Sequence, residues 1–436
     1  PMDRNDRNIT GLVMIAHGMV HTYEMTVPLF VVVWLSEFQT IGLGSLSAEV
    51  TTASLGVVLV VGYGLFGLGA LPSGVLVDRV GSRRLIAACL LGMGGSFLFL
   101  GLAPNMLVIA LAFVCWGAAA SVYHPAGLSL ISTGITERGT GFAYHGVAGN
   151  LGIGLGPLVA AILLVFLDWR TVAMVLAVPA LVGAVYAFRA RFDETAAADA
   201  EADSDEGESR GVDSLREFID TSKLLLASSF VLIFAIAICS GLYYRGVLSF
   251  MPELLQGLPG LEPIPVDALL PDSLASALGV EGTDRTLQPE DYLYSGLLLI
   301  GVVGQYVGGK LIDRIQVEYG VAGAFGVLAV LAVLFVPVTS LGLLPLFLFS
   351  AVLGVFLFMV QPLYQSAVAD YTPQAARGLS YGYMYLAVFG VGALGGGIAG
   401  GILTFANPTV LFAVLAVFAA TAGSIGLFLG WRRAGA

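Results

Sequence analysis

Twelve long apolar runs constrain this chain more than any other feature. They lie at roughly 10–37, 51–77, 84–103, 105–133, 139–166, 169–190, 223–256, 291–312, 321–340, 343–370, 377–405 and 407–430. Each reaches the length of about 20 residues at which an α-helix crosses hydrocarbon with its backbone hydrogen bonds satisfied internally. Alternating strand patterns of the outer-membrane barrel type are absent. The expected fold is therefore an all-α integral membrane bundle of twelve transmembrane helices. Composition agrees, with 57% hydrophobic and 11% charged residues against about 25% charged in soluble domains. The first run is too long for a secretory signal and lacks a small-residue cleavage site, so it is expected to stay in place.

Charge sets the orientation. With the N-terminus inside, 16 basic residues fall on one face, among them Arg4, Arg7, Arg79, Arg83, Arg84, Arg138, Arg314, Arg432 and Arg433, and only Arg170 and Arg285 fall on the other. The positive-inside rule then places both termini in the cytoplasm of a multi-pass protein of the cell membrane. A net charge of −11 argues against a nucleic-acid partner. Arginine outnumbers lysine 17 to two (Lys223 and Lys310) and the loops are acidic, a balance that suits a salt-loving organism. Cys89, Cys115 and Cys239 fall inside runs, and buried free thiols are expected.

Residues 192–222 carry a long acidic stretch with few large apolar side chains before Leu215, which reads as a disordered cytoplasmic linker ending in a short surface helix. It divides the chain into halves at 1–191 and 223–436, six runs each. The halves repeat. "GVLVDRVGSRR" from Gly74 is echoed by "GKLIDRIQVEYG" from Gly309, matching Asp78 and Arg79 to Asp313 and Arg314 at an offset of 235 residues. His124-Pro125 maps to Gln361-Pro362 at 237, and Arg138-Gly139 to Arg377-Gly378 at 239.

Twelve helices in two related halves, with this loop after the second and eighth runs, resemble the major facilitator superfamily. The loop signature G-x-L-a-D-R-x-G-R-K is matched by Gly74, Leu76, Asp78, Arg79, Gly81 and Arg83, with Ser82 replacing the first basic residue after the glycine. The resemblance implies a 6+6 fold around a central cavity and a cytoplasmic latch between the halves at Gly74, Asp78, Arg79, Arg83, Gly309, Asp313 and Arg314. The alternative is a loop that only records topology. A second signature, G-x-x-x-G-P-x-x-G-G, is associated in the family with proton-driven exporters and is matched by Gly152, Gly156 and Pro157, with Ala160 and Ala161 in place of its last glycines. Close helix packing alone also accounts for such glycines. The arginine that exporters often carry in the fourth helix is Phe113 here. "YHPAG" at 123–127 is similar to the drug exporters that include the fosmidomycin-resistance proteins.

Four histidines, His17, His21, His124 and His145, fall in runs 1, 4 and 5. His17, His21 and Glu24 are spaced i, i+4, i+7 and share one helix face. Polar groups at this depth are costly unless they face a partner or water, so the stripe is expected to point inward. Aligning "TVP" (26–28) with "FMP" (250–252) sets His21 against Arg245, the one arginine placed well inside a run. Its guanidinium stays charged and needs an anion, which Glu24 or a substrate carboxylate or phosphate supplies. A purely structural Glu24–Arg245 pair is the alternative. For His124, a bond to a neighbouring carbonyl is the plainer role. Asn150, Gln305, Gln361, Gln365, Tyr123, Tyr243, Tyr244 and Tyr383 are further candidates for the cavity wall. A metal at His17, His21 and His124 is weighed and not favoured, because no HExxH or cysteine cluster accompanies it. No cofactor is expected.

The sequence therefore points to a secondary active transporter using alternating access, with proton-coupled export of a small organic molecule preferred. Proton-linked uptake or exchange of an organic anion is the second reading, and a non-transporting sensor or scaffold the third. An enzyme is not expected, since no nucleophile–base pair, metal motif or phosphate-binding loop appears. A monomer in the bilayer is expected. The long segment 257–290 reads as a solvated external loop with a short helix at 272–278. Fluorescent-protein and alkaline-phosphatase fusions to the C-terminus test the topology: fluorescence without phosphatase activity is expected, and the converse overturns the cytoplasmic assignment.

Overall fold

The computed structural model describes residues 2–44, 46–197, 215–277, 279–280, 282–372 and 377–435. Among these, twelve helices are long and apolar enough to cross a membrane. They are α1 Arg4–Glu37, α2 Thr52–Gly74, α3 Ser82–Gly101, α4 Met106–Gly134, α5 Arg138–Phe166, α6 Trp169–Arg189, α7 Phe230–Leu248, α8 Pro289–Ile312, α9 Val317–Thr339, α10 Leu343–Asp370, α11 Leu379–Phe405 and α12 Pro408–Ala434. An even number of crossings puts both termini on one face. Polar caps start several of them. Asn105 accepts from Val108 N at 3.1 Å and Asn407 from Val410 N at 3.2 Å, satisfying N–H groups that the first turn leaves orphaned. Asp168 caps α6, and bonds from the Thr171 hydroxyl and the backbone hold its carboxyl below its usual pKa.

Three expected runs are interrupted, each for a local reason. The fourth breaks between Ala120 and Tyr123. Pro125 there has no N–H to offer the Ser121 carbonyl, so it sits in the first turn of a new segment. The seventh becomes Leu215–Leu226, α7 and Met251–Leu255. Ser228 Oγ accepts from Phe230 N at 3.2 Å at the first break, and Pro252 opens the last segment. Gly69 marks a break in the second run, which resumes as Ala70–Val80. The eleventh carries a π-helical turn at Leu386–Val391. The expected surface helix after the linker is present, while residues 198–214 of the linker lie outside the described residues.

On the face opposite the termini, two short hairpins join the spans: β1 Thr40–Leu43 with β2 Leu46–Glu49, and β3 Ile264–Pro265 with β4 Thr286–Leu287. The segment 257–290 has its own apolar cluster of Val266, Ala275 and Val280, packed on Val165 and Phe166 at the end of α5. It is thus more ordered than a solvated loop, and its helix runs Asp272–Ala277. Cys89 and Cys239 are buried as expected. Cys115 is exposed on the outer surface of α4, so burial of all three thiols does not hold.

The first and last six helices meet along two seams, α2 with α11 and α5 with α8. Small residues make the first seam. A Cβ at Gly56 would lie 3.0 Å from Gly396 O, and one at Gly67 would collide with the Gly390 backbone. At the end of α2 opposite the termini, Thr52 Oγ1 donates to Gly400 O at 2.9 Å and Ala53 N donates to Thr404 Oγ1 at 2.8 Å. This clasp closes that face. Gly67→Ala is expected to destabilise the protein by about 1–3 kcal/mol through overpacking. Gly95→Ala, where a Cβ meets nothing within 4 Å, is expected to be neutral or stabilising by about 0.5–1 kcal/mol. Thermal unfolding in detergent checks the contrast, and equal melting temperatures for the two would overturn the reading of the seam.

Candidate functional site

The site begins with α1. His17, His21 and Glu24 project from one stripe, as their spacing predicts, and all are buried, Glu24 to 1% exposure. α5 approaches α1 closely enough to enclose them because its glycines leave no side chain in the way: a Cβ at Gly149 would lie 2.7 Å from His17 Nδ1, and one at Gly156 would lie 2.7 Å from Thr22 Cα. The exporter-like glycines thus serve the packing of the histidine stripe. α7 brings Arg245, 2% exposed, into an ion pair with Glu24. The guanidinium lies 3.7 Å from the centroid of Tyr63 on α2, and the Tyr63 hydroxyl donates to the Glu24 carbonyl at 2.8 Å. Phe113, in place of the exporters' arginine, packs edge-on against that Tyr63 ring and stacks on Trp116.

A chain of hydrogen bonds leads from the ion pair. His21 Nδ1 is 2.5 Å from Glu24 Oε2, His21 Nε2 is 3.1 Å from His17 Nε2, and His17 Nδ1 is 2.7 Å from the His145 carbonyl. Both ends of this chain are acceptors when Glu24 is ionised. Each ring nitrogen in it donates or accepts according to its tautomer, so the three contacts form one continuous hydrogen-bonded path from the Glu24 carboxylate to the backbone of α5. His145 stacks on His17 with ring centroids 3.7 Å apart, and its Nε2 is buried without a partner among the described residues. His124 approaches both, at 5.3 Å from His17 and 5.6 Å from His21 between centroids. It makes no hydrogen bond to a backbone carbonyl among the described residues.

These groups line one wall of a cavity of about 270 Å³. The opposite wall carries Gln305, Gln361, Tyr364 and Gln365, with Tyr385 and Phe389 of α11 closing the side. Gln305 Nε2 donates to Gln361 Oε1 at 3.0 Å. Asn150 also lines the cavity. Gln365, toward the termini, is exposed, whereas Glu24 and Arg245 at the far end are buried. The cavity therefore opens toward the face that carries the termini. Arg245 sits just behind the wall and reaches it through Glu24.

Three expected wall residues lie elsewhere. Tyr243 donates to Leu328 O at 2.9 Å on α9, and Tyr383 packs against Phe230 and Phe234. Adjacent helix positions point about 100° apart, so Tyr244 can face the cavity and Tyr243 cannot. Tyr123 lies behind His17, stacked on its ring, with its hydroxyl bonded to Val13 O. Tyr63 and Tyr294, whose hydroxyl donates to Met25 O at 3.1 Å, escaped the sequence reading. The glycines on either side of Tyr63 were the available signal.

At the expected latch, Gly81 holds a positive φ of 88° between α2 and α3. Arg83 bonds to the end of α6 and to the start of the linker, not to the other half: Nε to Ala187 O at 2.7 Å, Nη2 to Phe188 O at 3.0 Å, and its backbone N–H to Glu194 Oε2 at 3.0 Å. Arg79, Asp313 and Arg314 are exposed, and nothing lies within 4 Å of a Cβ at Gly74 or Gly309. The side chain of Asp78 lies outside what is described.

Comparison with known proteins places this geometry in context. The chain is 37% identical over 108 residues to a puromycin resistance protein of Streptomyces alboniger, and 28% identical over 112 residues to a probable L-galactonate transporter of Escherichia coli. These stretches cover 24% of this chain in each case, and 22% and 24% of the relatives, so the chain spans about a quarter of the curated relatives' length. Solved structures similar to it include a bacterial homologue of the human lysosomal transporter Spinster in an inward-facing, occupied conformation (TM-score 0.69, 13% identity, 98% of this chain and 96% of that one). A peptide transporter POT (0.70, 15%, 98% and 95%) and the nucleoside transporter NupG (0.69, 14%, 97% and 98%) are also similar. Residues 13–384 match the profile of the Major Facilitator Superfamily, and the chain belongs to that family of multi-pass membrane transporters.

Proposed function

We propose that this transporter exports a small organic molecule in exchange for protons, by alternating access between two six-helix halves, 1–191 and 223–436, joined by the linker 192–222. The observation that carries the reading is the position of Glu24. Its carboxylate binds Arg245 of the other half and, at the same time, His21 of a hydrogen-bonded histidine chain along which a proton can pass. Protonating Glu24 cancels its attraction for Arg245, so the proton and the contact between halves are linked through one group. His17, His124 and His145 line the same cavity and extend the path toward the face carrying the termini. The likeness to a puromycin resistance protein and the "YHPAG" resemblance to drug exporters support export of an amphiphilic compound. The residues of the loop signature act as the latch on the side of the termini, which we assign to the cytoplasm of the cell membrane.

Proton-linked movement of an organic anion is the second reading. Arg245 Nε is buried and has no hydrogen-bond partner among the described residues, so the guanidinium has a donor left for a carboxylate once Glu24 is protonated. The likeness to a probable L-galactonate transporter points the same way.

Liposomes with a pH gradient, loaded with puromycin-like drugs or with sugar acids, separate the readings. Wild type is expected to move protons only with a substrate, and Glu24→Gln is expected to lose that coupling by tenfold or more. Substrate-dependent proton flux at the wild-type level in Glu24→Gln overturns the role of this carboxylate. Because removing one partner of a buried pair costs about 3–5 kcal/mol, Glu24→Gln and Arg245→Gln are both expected to melt lower than wild type. The Glu24→Gln/Arg245→Gln double variant is expected to recover much of that loss. Additive losses in the double variant would show that the two side chains do not depend on one another.

A further inference from the structure

The histidine stripe is arranged as a metal site as well as a proton path. Three features meet there. First, His17 Nε2 and His21 Nε2 face one another at 3.1 Å, and one ring nitrogen from each of His17, His21 and His124 lies within 4.8 Å of the other two. In a tetrahedral site with metal–nitrogen bonds of about 2.0–2.1 Å, neighbouring donors stand about 3.3 Å apart. The first pair already matches that bite, and a rotation of the His124 ring closes the third side.

Second, the remaining nitrogens of the pair are held as a metal ligand requires. His21 Nδ1 bonds the Glu24 carboxylate at 2.5 Å, and His17 Nδ1 bonds the His145 carbonyl at 2.7 Å. Ligating histidines donate their second N–H to a carboxylate or a backbone carbonyl, which fixes the tautomer and aims the other lone pair at the ion. Here one ring has each kind of partner. Third, His124 has no hydrogen bond of its own among the described residues and stands against Phe66 and Tyr385, so no competing bond holds its ring nitrogens.

We infer that His17, His21 and His124 bind a first-row divalent transition ion of the zinc class, through three neutral imidazole nitrogens. The absence of oxygen donors in the triad disfavours calcium and magnesium. Glu24 stands one imidazole away and offsets part of the ion's charge, while Arg245 on α7 opposes it. The fourth position faces the cavity, open to water or to a polar group of a transported molecule. An ion bound to both Nε2 lone pairs and the hydrogen bond between those two nitrogens exclude one another. A bound ion therefore blocks the path on which the proposed coupling relies. The site itself rests on geometry alone and not on that transport reading.

The test is direct titration of the full-length protein in detergent, freed of any affinity tag, with Co²⁺ alone and then with Zn²⁺ in competition. Uptake of about one Co²⁺ per chain with the visible absorption of a tetrahedral nitrogen site is expected, and Zn²⁺ should displace it. His21→Ala and His124→Gln are each expected to abolish the absorption, and Glu24→Gln to weaken binding by about 10–100-fold through loss of the carboxylate behind His21. Melting temperatures without metal identify any variant that fails to fold. Wild-type protein that shows no such absorption at saturating Co²⁺ overturns the site, whatever the variants do. Binding that persists unchanged in both histidine variants also overturns it, since the ion then sits on surface carboxylates. A failed transport assay leaves the metal titration standing, and a failed titration leaves the transport reading standing.

Discussion

The pairing of Glu24 with Arg245 is the constraint around which the interior is arranged. Two full charges at 1% and 2% exposure lie between helices of opposite halves, in a span where water is scarce. Either charge alone would be prohibitively placed, and even together they recover their desolvation only if the remaining donors and acceptors are met. The surroundings answer that need. Tyr63 offers its ring face to the guanidinium and its hydroxyl to the Glu24 carbonyl, and His21 takes the second carboxylate oxygen. Every group added to satisfy the pair is itself polar, and this leads to the next histidine and then to the backbone of α5. A polar wall in an apolar bundle follows from one ion pair.

Much of this was legible in the sequence, for identifiable reasons. The i, i+4, i+7 spacing of His17, His21 and Glu24 is a property of one helix, and helical period alone puts them on one face. Arg245 could be set opposite them because the two halves repeat, so an offset stood in for a contact. What could not be read depends on how separate helices meet. The Tyr63 ring under Arg245, the carbonyl of His145 under His17, and the outward turn of Tyr243 are set by packing between residues far apart in the chain. The breaks in α4 and near α7 were hidden for another reason. An apolar run shows that a segment lies in the membrane, yet the proline at 125 decides where within that run the helix stops and restarts.

Glycine sets how closely the halves approach. Along α2 and α11 the backbones come into contact at Gly56, Gly67 and Gly400, with few large side chains such as Phe66 and Phe389 between them. Such a seam tolerates sliding and rocking better than a jigsaw of large side chains, and small residues are the usual means of bringing membrane helices this close. The π-helical turn Leu386–Val391 lies in this seam, beside Gly67. Wide turns of this kind occur frequently at functional sites, and this one lies where α11 touches both the other half and the cavity.

The clasp between Thr52, Ala53 and Thr404 contains no charged group. Its strength comes from hydroxyl and backbone hydrogen bonds and from contact between bare helix backbones, none of which dissolved ions screen to any extent. A closure made of surface ion pairs would weaken as salt rises. This one is held by forces that added salt leaves nearly unchanged, so at this face the two halves stay joined by contacts that ionic strength does not loosen.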